Sequence, residues 1–193
     1  MPLIIPIALI VIILYIYNKN TGIVNKVFSL ASIPVKIPDV DLSILNSGYI
    51  PNYPTNITKE NLEFWIEFYA KKVNLDITFL KTICQTESSF GKYLVNSTDP
   101  YGGAYGAFQF LLPTAQKYAQ KIFRVNYSLD DIKQKLLTDA RFSSALACGY
   151  IYDLLKQYKN YEEVMFKYKG AVSQMAKDKV KSIFIKAYQE LVE

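Results

Sequence analysis

From Thr58 onward the apolar side chains recur three and four residues apart, and no run alternates with the two-residue period of a strand. That periodicity predicts an all-α domain. Thr58 is a suitable N-cap for a first helix whose buried stripe is Leu62, Trp65, Ile66 and Tyr69. Asp76 caps a second, with Phe79, Leu80, Ile83 and Cys84 on one face. Pro113 opens a third, through Ala115, Tyr118, Ala119 and Ile122. Ser128 and Asp131 make a capping-box-like start for another. Asp139 begins the longest, with Phe142, Leu146, Tyr150, Leu154 and Tyr158 inward, and two more follow over Tyr161 to Tyr168 and from Val172 to the end. Between them, residues 96 to 108 hold Pro100, Gly102, Gly103 and Gly106 and read as a loop with at most a short hairpin.

The N-terminal part is of another kind. Met1 to Tyr17 carries no charged side chain and, at ~1.5 Å per residue, spans roughly 25 Å as a helix, slightly short of a bilayer core. A cleaved signal peptide needs a basic start and a small-residue cleavage site, and neither is present. The run ends instead in Tyr15, Tyr17 and Lys19, as an interfacial anchor does. Residues 1–17 are therefore expected to be an uncleaved transmembrane anchor. Residues 18–57, with Pro34, Pro38, Pro51 and Pro54 among short apolar runs, are expected to form an extended linker that lifts a catalytic domain, 58–193, off the bilayer.

Composition then narrows the chemistry. Hydrophobic residues make up 51% and charged residues 20%, enough for a packed core. The net charge of +5 is spread along the chain, too diffuse for nucleic-acid binding but compatible with an anionic surface. The chain contains no histidine, which excludes His-based triads, His-type zinc sites and Cys–His nucleophile pairs. Acid–base work falls to carboxylates, Tyr, Lys or Cys. Cys84 and Cys148 are too few for a metal site. Either they form one bridge in an oxidising compartment or they are small buried hydrophobes.

Glu87 ends the second helix just before Gly91, and its neighbours one and two turns back are Cys84, Ile83 and Leu80, all apolar. A carboxyl group placed there loses water, and burial penalises its charged form. Such an acid holds a proton near neutral pH and hands it to a glycosidic oxygen. Position alone favours a helix-end Glu that reaches solvent or caps a backbone amide. The words around it decide: Glu87-Ser88-Ser89-Phe90-Gly91, then Gly103-Ala104-Tyr105-Gly106-Ala107-Phe108-Gln109-Phe110, then Pro113-Thr114-Ala115, the long helix over Ala145 to Leu155, and Tyr168-Lys169-Gly170-Ala171. In that order they resemble the signature of the soluble lytic transglycosylases, whose fold is related to goose-type lysozyme, over roughly residues 60 to 171.

The resemblance implies a lysozyme-like helical domain that cuts peptidoglycan glycan strands without cofactor or metal. Glu87 is then the single general acid and base. Gln109 lies in the cleft floor and hydrogen-bonds a sugar, and the Tyr168 hydroxyl holds Glu87 or the substrate. Ser97 matches a substrate-contacting serine only loosely, because the stretch from Glu87 to Gly103 is a few residues long for the family. Phe108, where Met is frequent, offers a sugar-stacking surface of another shape, and Lys169 replaces the usual Asn, which puts that contact in doubt. The second carboxylate of ordinary glycosidases is replaced by the muramic acid's own N-acetyl group, and the product end is a 1,6-anhydro ring. Two alternatives stand beside this. One is a lysozyme-like hydrolase using Asp99 to position water, against a plain turn-forming role before Pro100. The other is a non-catalytic wall-binding or structural membrane protein.

Location carries a conflict. The substrate lies outside the cytoplasmic membrane, yet Lys19 and Lys26 follow the apolar run and no cation precedes it, which favours a cytoplasmic C-terminal side. Two lysines are weak against the substrate argument, so the domain is expected to face peptidoglycan. A phage enzyme carried in a virion or viral membrane and opening the wall during infection resolves the conflict; a cell-envelope enzyme is the other setting.

Overall fold

The computed structural model describes residues 34–98 and 102–192. Seven α-helices lie among them: α1 Lys59–Val73, α2 Ile77–Ser88, α3 Leu112–Phe123, α4 Leu129–Thr138, α5 Ala140–Tyr158, α6 Tyr161–Tyr168 and α7 Gln174–Val192. The expected caps are in place. Thr58 accepts from the Asn61 amide at 3.1 Å, Asp76 from Phe79 at 2.7 Å, Ser128 from Asp131 at 3.1 Å and Asp139 from Phe142 at 2.9 Å. Each closes an orphan N–H in a first turn.

The fold is organised around α5, whose thirteen buried residues face neighbours on several sides. Its main partner is α1, and α3, α4 and α6 pack around the same core. Small side chains on α5 (Ala145, Ala147, Cys148, Gly149) let these helices approach closely. At Gly149 an added Cβ meets the Ile122 side chain of α3 at 2.9 Å. From α1, the stripe of Leu62, Trp65, Ile66 and Tyr69 is wholly buried, as its spacing predicts. Helix α7 packs on α2, where Phe184, Phe79 and Tyr161 form a ring cluster with centroids 4.6 and 5.2 Å from Phe79.

The Gly-rich loop is more ordered than a hairpin. Three two-residue strands, β1 Val95–Asn96, β2 Ala104–Tyr105 and β3 Phe110–Leu111, pair antiparallel in the order β1-β2-β3. Two-residue strands leave no periodic trace, so the sequence cannot announce them.

The described part of the expected linker, residues 34–57, is not a tether. It packs on the domain: a 3₁₀ turn over Leu42–Asn46 sits against α1, α3 and α5, and Leu45 is 0% exposed. Tyr152 donates to the Pro38 carbonyl at 2.6 Å and accepts from the Val40 amide at 2.8 Å, Trp65 donates to the Pro54 carbonyl at 2.8 Å, and Arg124 grips the Asp41 carboxylate. Proline forbids a continuous helix, but not burial. Isolated apolar residues such as Leu42 and Leu45 suffice to fill a groove without any period. The anchor expected over residues 1–17 lies outside the described residues. Among the described residues no helix is long and apolar enough to cross a membrane. Cys84 and Cys148 are both buried and unbridged, and burial pushes both thiols well above their usual range.

Candidate active site

Helix α2 ends abruptly one residue after Glu87, and the manner of its ending aims that side chain. Ser89, Phe90 and Gly91 take φ of 52°, 53° and 81° in succession. Left-handed backbone at two non-glycine residues is costly and persists only where surrounding contacts impose it. Here the Ser88 hydroxyl imposes it. Ser88 Oγ donates to the Ala107 carbonyl at 2.7 Å and accepts from the Gly91 amide at 2.8 Å. One buried hydroxyl thus ties the helix end, its reversing turn and the Gly-rich loop together. Gly91 is required: a Cβ there would stand 2.4 Å from Ile57 Cγ2.

On the facing side, Gly106 has φ +80°, and a Cβ would lie 2.7 Å from the Leu136 backbone oxygen. Its amide donates to the Leu94 carbonyl at 2.8 Å, and its carbonyl accepts from the Gln109 backbone amide at 3.1 Å. Gln109, itself at φ 48°, donates its side-chain Nε2 to the carbonyls of Gly106 and Tyr93 at 2.9 and 3.1 Å. Both partners are acceptors, so the amide nitrogen is consumed by the loop and the carbonyl oxygen is the end left for a ligand.

Glu87, Gln109 and Tyr168 come together in one cleft of about 570 Å³, with Asn96 and Ala104 from the small sheet, Tyr150 from α5, and Lys167, Lys169 and Gly170 around the end of α6. The Glu87 side chain is 13% exposed, and its Oε1 stands 2.8 Å from Lys169 Nζ. Burial pushes its carboxyl above the ordinary carboxylate range, and the Lys169 ammonium offsets only part of that rise. Among the described residues lining the cleft, Glu87 is the one carboxylic acid. Two other cavities, one beside Phe64 and Phe68 and one beside Lys117 and Arg124, do not include it.

Three expectations need correction. The Tyr168 hydroxyl does not hold Glu87: it donates to the Phe108 carbonyl at 2.8 Å and so braces the Gly-rich loop against α6. Burial and the nearby Glu87 charge keep that phenol protonated well above its usual range. Phe108 is wholly buried and presents no stacking face to a sugar; it serves through its carbonyl. Ser97 is exposed and outside the cleft lining, where its neighbour Asn96 stands instead. Ser97 lies one residue past the end of β1, in the turn that follows it, so a one-residue slip in a loose alignment exchanges the strand residue that lines the cleft for a turn residue that does not. Asp99 lies outside the described residues. Sequence reasoning also passed over Ser88 and Lys169 as site residues. Ser88 was visible as half of the Glu-Ser pair, and Lys169 only as a departure from the family's Asn.

A family model for the transglycosylase SLT domain matches residues 64–188. The chain belongs to that family of glycan-cleaving, lysozyme-like domains that act on peptidoglycan. The match extends beyond the motifs into α7, which backs the helix carrying Glu87. No curated protein and no solved structure matches the chain.

Proposed function

We propose that this domain is a lytic transglycosylase that breaks the MurNAc–GlcNAc β-1,4 bond with Glu87 as sole acid and base. The observation that carries the reading is the shielded carboxyl of Glu87 in the cleft, with no second acid among the described lining residues. Desolvation favours the protonated form, which is the form needed to donate to a glycosidic oxygen.

In the first step the Glu87 proton passes to the leaving GlcNAc oxygen while the C–O bond at the MurNAc anomeric carbon breaks. The carbonyl oxygen of the MurNAc N-acetyl group bonds to that carbon from the opposite face. In the second, the Glu87 carboxylate takes the proton of the MurNAc 6-hydroxyl. The 6-oxygen displaces the acetamido oxygen and closes the 1,6-anhydro ring, and Glu87 regains its proton. Both nucleophiles are tethered to the reacting ring, so little translational entropy is lost. In this reading the Gln109 carbonyl oxygen and the Asn96 amide, both at the cleft wall, hydrogen-bond the sugars, and Tyr150 and Tyr168 supply aromatic surface beside them.

The sequence further supports a domain held at a membrane by residues 1–17 and facing peptidoglycan, in a cell envelope or a virion. The decisive experiment is digestion of purified peptidoglycan, with the muropeptides weighed by mass spectrometry. Anhydro-ended products from wild type and none from Glu87→Gln are expected. Products heavier by one water would instead identify a hydrolase, and release by the Gln variant at the wild-type rate would remove Glu87 from the chemistry.

A further inference from the structure

The side chain nearest the proposed acid in charge and distance is one the family pattern does not supply. Lys169 follows the last turn of α6, where the Lys169 amide donates to the Met165 carbonyl at 3.1 Å and the Ala171 amide to Phe166 at 2.8 Å. With its backbone so pinned, its ammonium reaches across to α2. It stands 2.8 Å from Glu87 Oε1 and donates to the Thr86 carbonyl at 3.3 Å. The Lys169 side chain is 19% exposed and that of Glu87 13%, so water screens the pair weakly.

We propose that Lys169 is the electrostatic partner of the catalytic carboxyl: its ammonium orients Glu87 in the cleft and stabilises the carboxylate left once the proton has gone to the sugar oxygen. This rests on Glu87 being the acid. The need for such a partner follows from where Glu87 sits. It lies in the final turn of a helix, where unpaired carbonyls make the local field negative and a developing carboxylate is opposed. Thr86 contributes one of those carbonyls, and the ammonium answers both it and the carboxylate. The other titratable groups around Glu87 are Cys84 on α2, Tyr150 on α5, and Lys167 and Tyr168 on α6. Beyond Cys84, Glu63 on α1 is paired with Lys81 at 3.9 Å. Among the described residues none of these groups is ion-paired with Glu87, and Lys169 is. Lysine in place of asparagine therefore trades a neutral hydrogen bond for a full charge. That makes Glu87 a stronger acid in the first step and a weaker base in the second.

The test uses the full chain with Lys169→Met, Lys169→Asn, Lys169→Arg and Glu87→Gln. Glutamate carboxyl carbons are followed by ¹³C NMR against pH, and Glu87 is identified by its loss in the Gln variant. In Lys169→Met the Glu87 midpoint rises by about one to two units, the size expected for losing a cation at this range. The alkaline limb of kcat/KM moves up with it, and the Arg variant stays near wild type. The Asn variant repeats the Met result should Met fail to fold. An unmoved midpoint and limb in a folded Met or Asn variant overturns the proposal. Wild-type activity in Glu87→Gln overturns its catalytic half, while the NMR midpoint still reports whether the ion pair exists.

Discussion

The Ser88 hydroxyl is the smallest group on which the geometry of the cleft depends, and removing it is the sharpest test of that geometry. In Ser88→Ala the Ala107 carbonyl loses its 2.7 Å donor and the Gly91 amide its 2.8 Å acceptor. The Ala107 carbonyl is buried and regains no water without local opening, and the Gly91 amide is half-buried. A buried polar group left unpaired costs about 1–3 kcal/mol, and the half-buried amide adds to the buried carbonyl, so a loss of about 2–3 kcal/mol is expected. For a domain of this size that is a fall in Tm of about 4–12 °C. The same change frees the left-handed turn at Ser89 and Phe90, so Glu87 loses its fixed bearing on Gln109. Muropeptide release should then fall even at temperatures where the variant remains folded. Thermal melts and urea titrations give the stability, and initial rates on purified peptidoglycan give the activity. A loss under about 0.5 kcal/mol, the range of an ordinary surface substitution, would refute the claim that this hydroxyl holds helix end and loop together.

Three further outcomes follow from the same contacts. Because Glu87 binds its proton more tightly folded than unfolded, the folded state carries the extra proton as pH rises from the unfolded value near 4.5, and stability declines through that window. Glu87→Gln should therefore gain Tm relative to wild type at pH 8 and lose that advantage at pH 4; an advantage that is larger at pH 4 contradicts the buried-acid reading. Tyr168→Phe should cost about 1–2 kcal/mol in urea titration, because it orphans the Phe108 carbonyl, with the Glu87 midpoint changed little. Leu45→Ala should cost about 2–4 kcal/mol, as a core truncation does, whereas a residue in a free tether would cost nothing measurable.

How much of this was legible beforehand varies by the kind of physics involved. Helix caps act over three residues, so Thr58, Asp76, Ser128 and Asp139 could be read directly and stand where expected. The buried stripe of α1 was likewise local, set by residues one turn apart, whereas the shielding of Glu87 comes from the loop and helices that wall its cleft. The roles of Tyr168, Phe108 and Ser97 were inferred from a motif that lacks side-chain direction. Direction depends on strand register and on what each hydroxyl meets across the fold. Tyr168 and Phe108 are sixty residues apart in sequence, and no local pattern announces that one braces the other.

By itself, then, the amino-acid sequence determined an all-α domain, the helix boundaries and the family, because period, capping and motif are short-range properties. Tertiary structure alone decided that residues 34–57 belong to the domain, that three minimal strands frame the cleft, and that Lys169 meets Glu87. Each of these is a contact between segments far apart in the chain. The free energy that fixes such contacts comes from burial and charge shared across helices, which no stretch of sequence carries within itself.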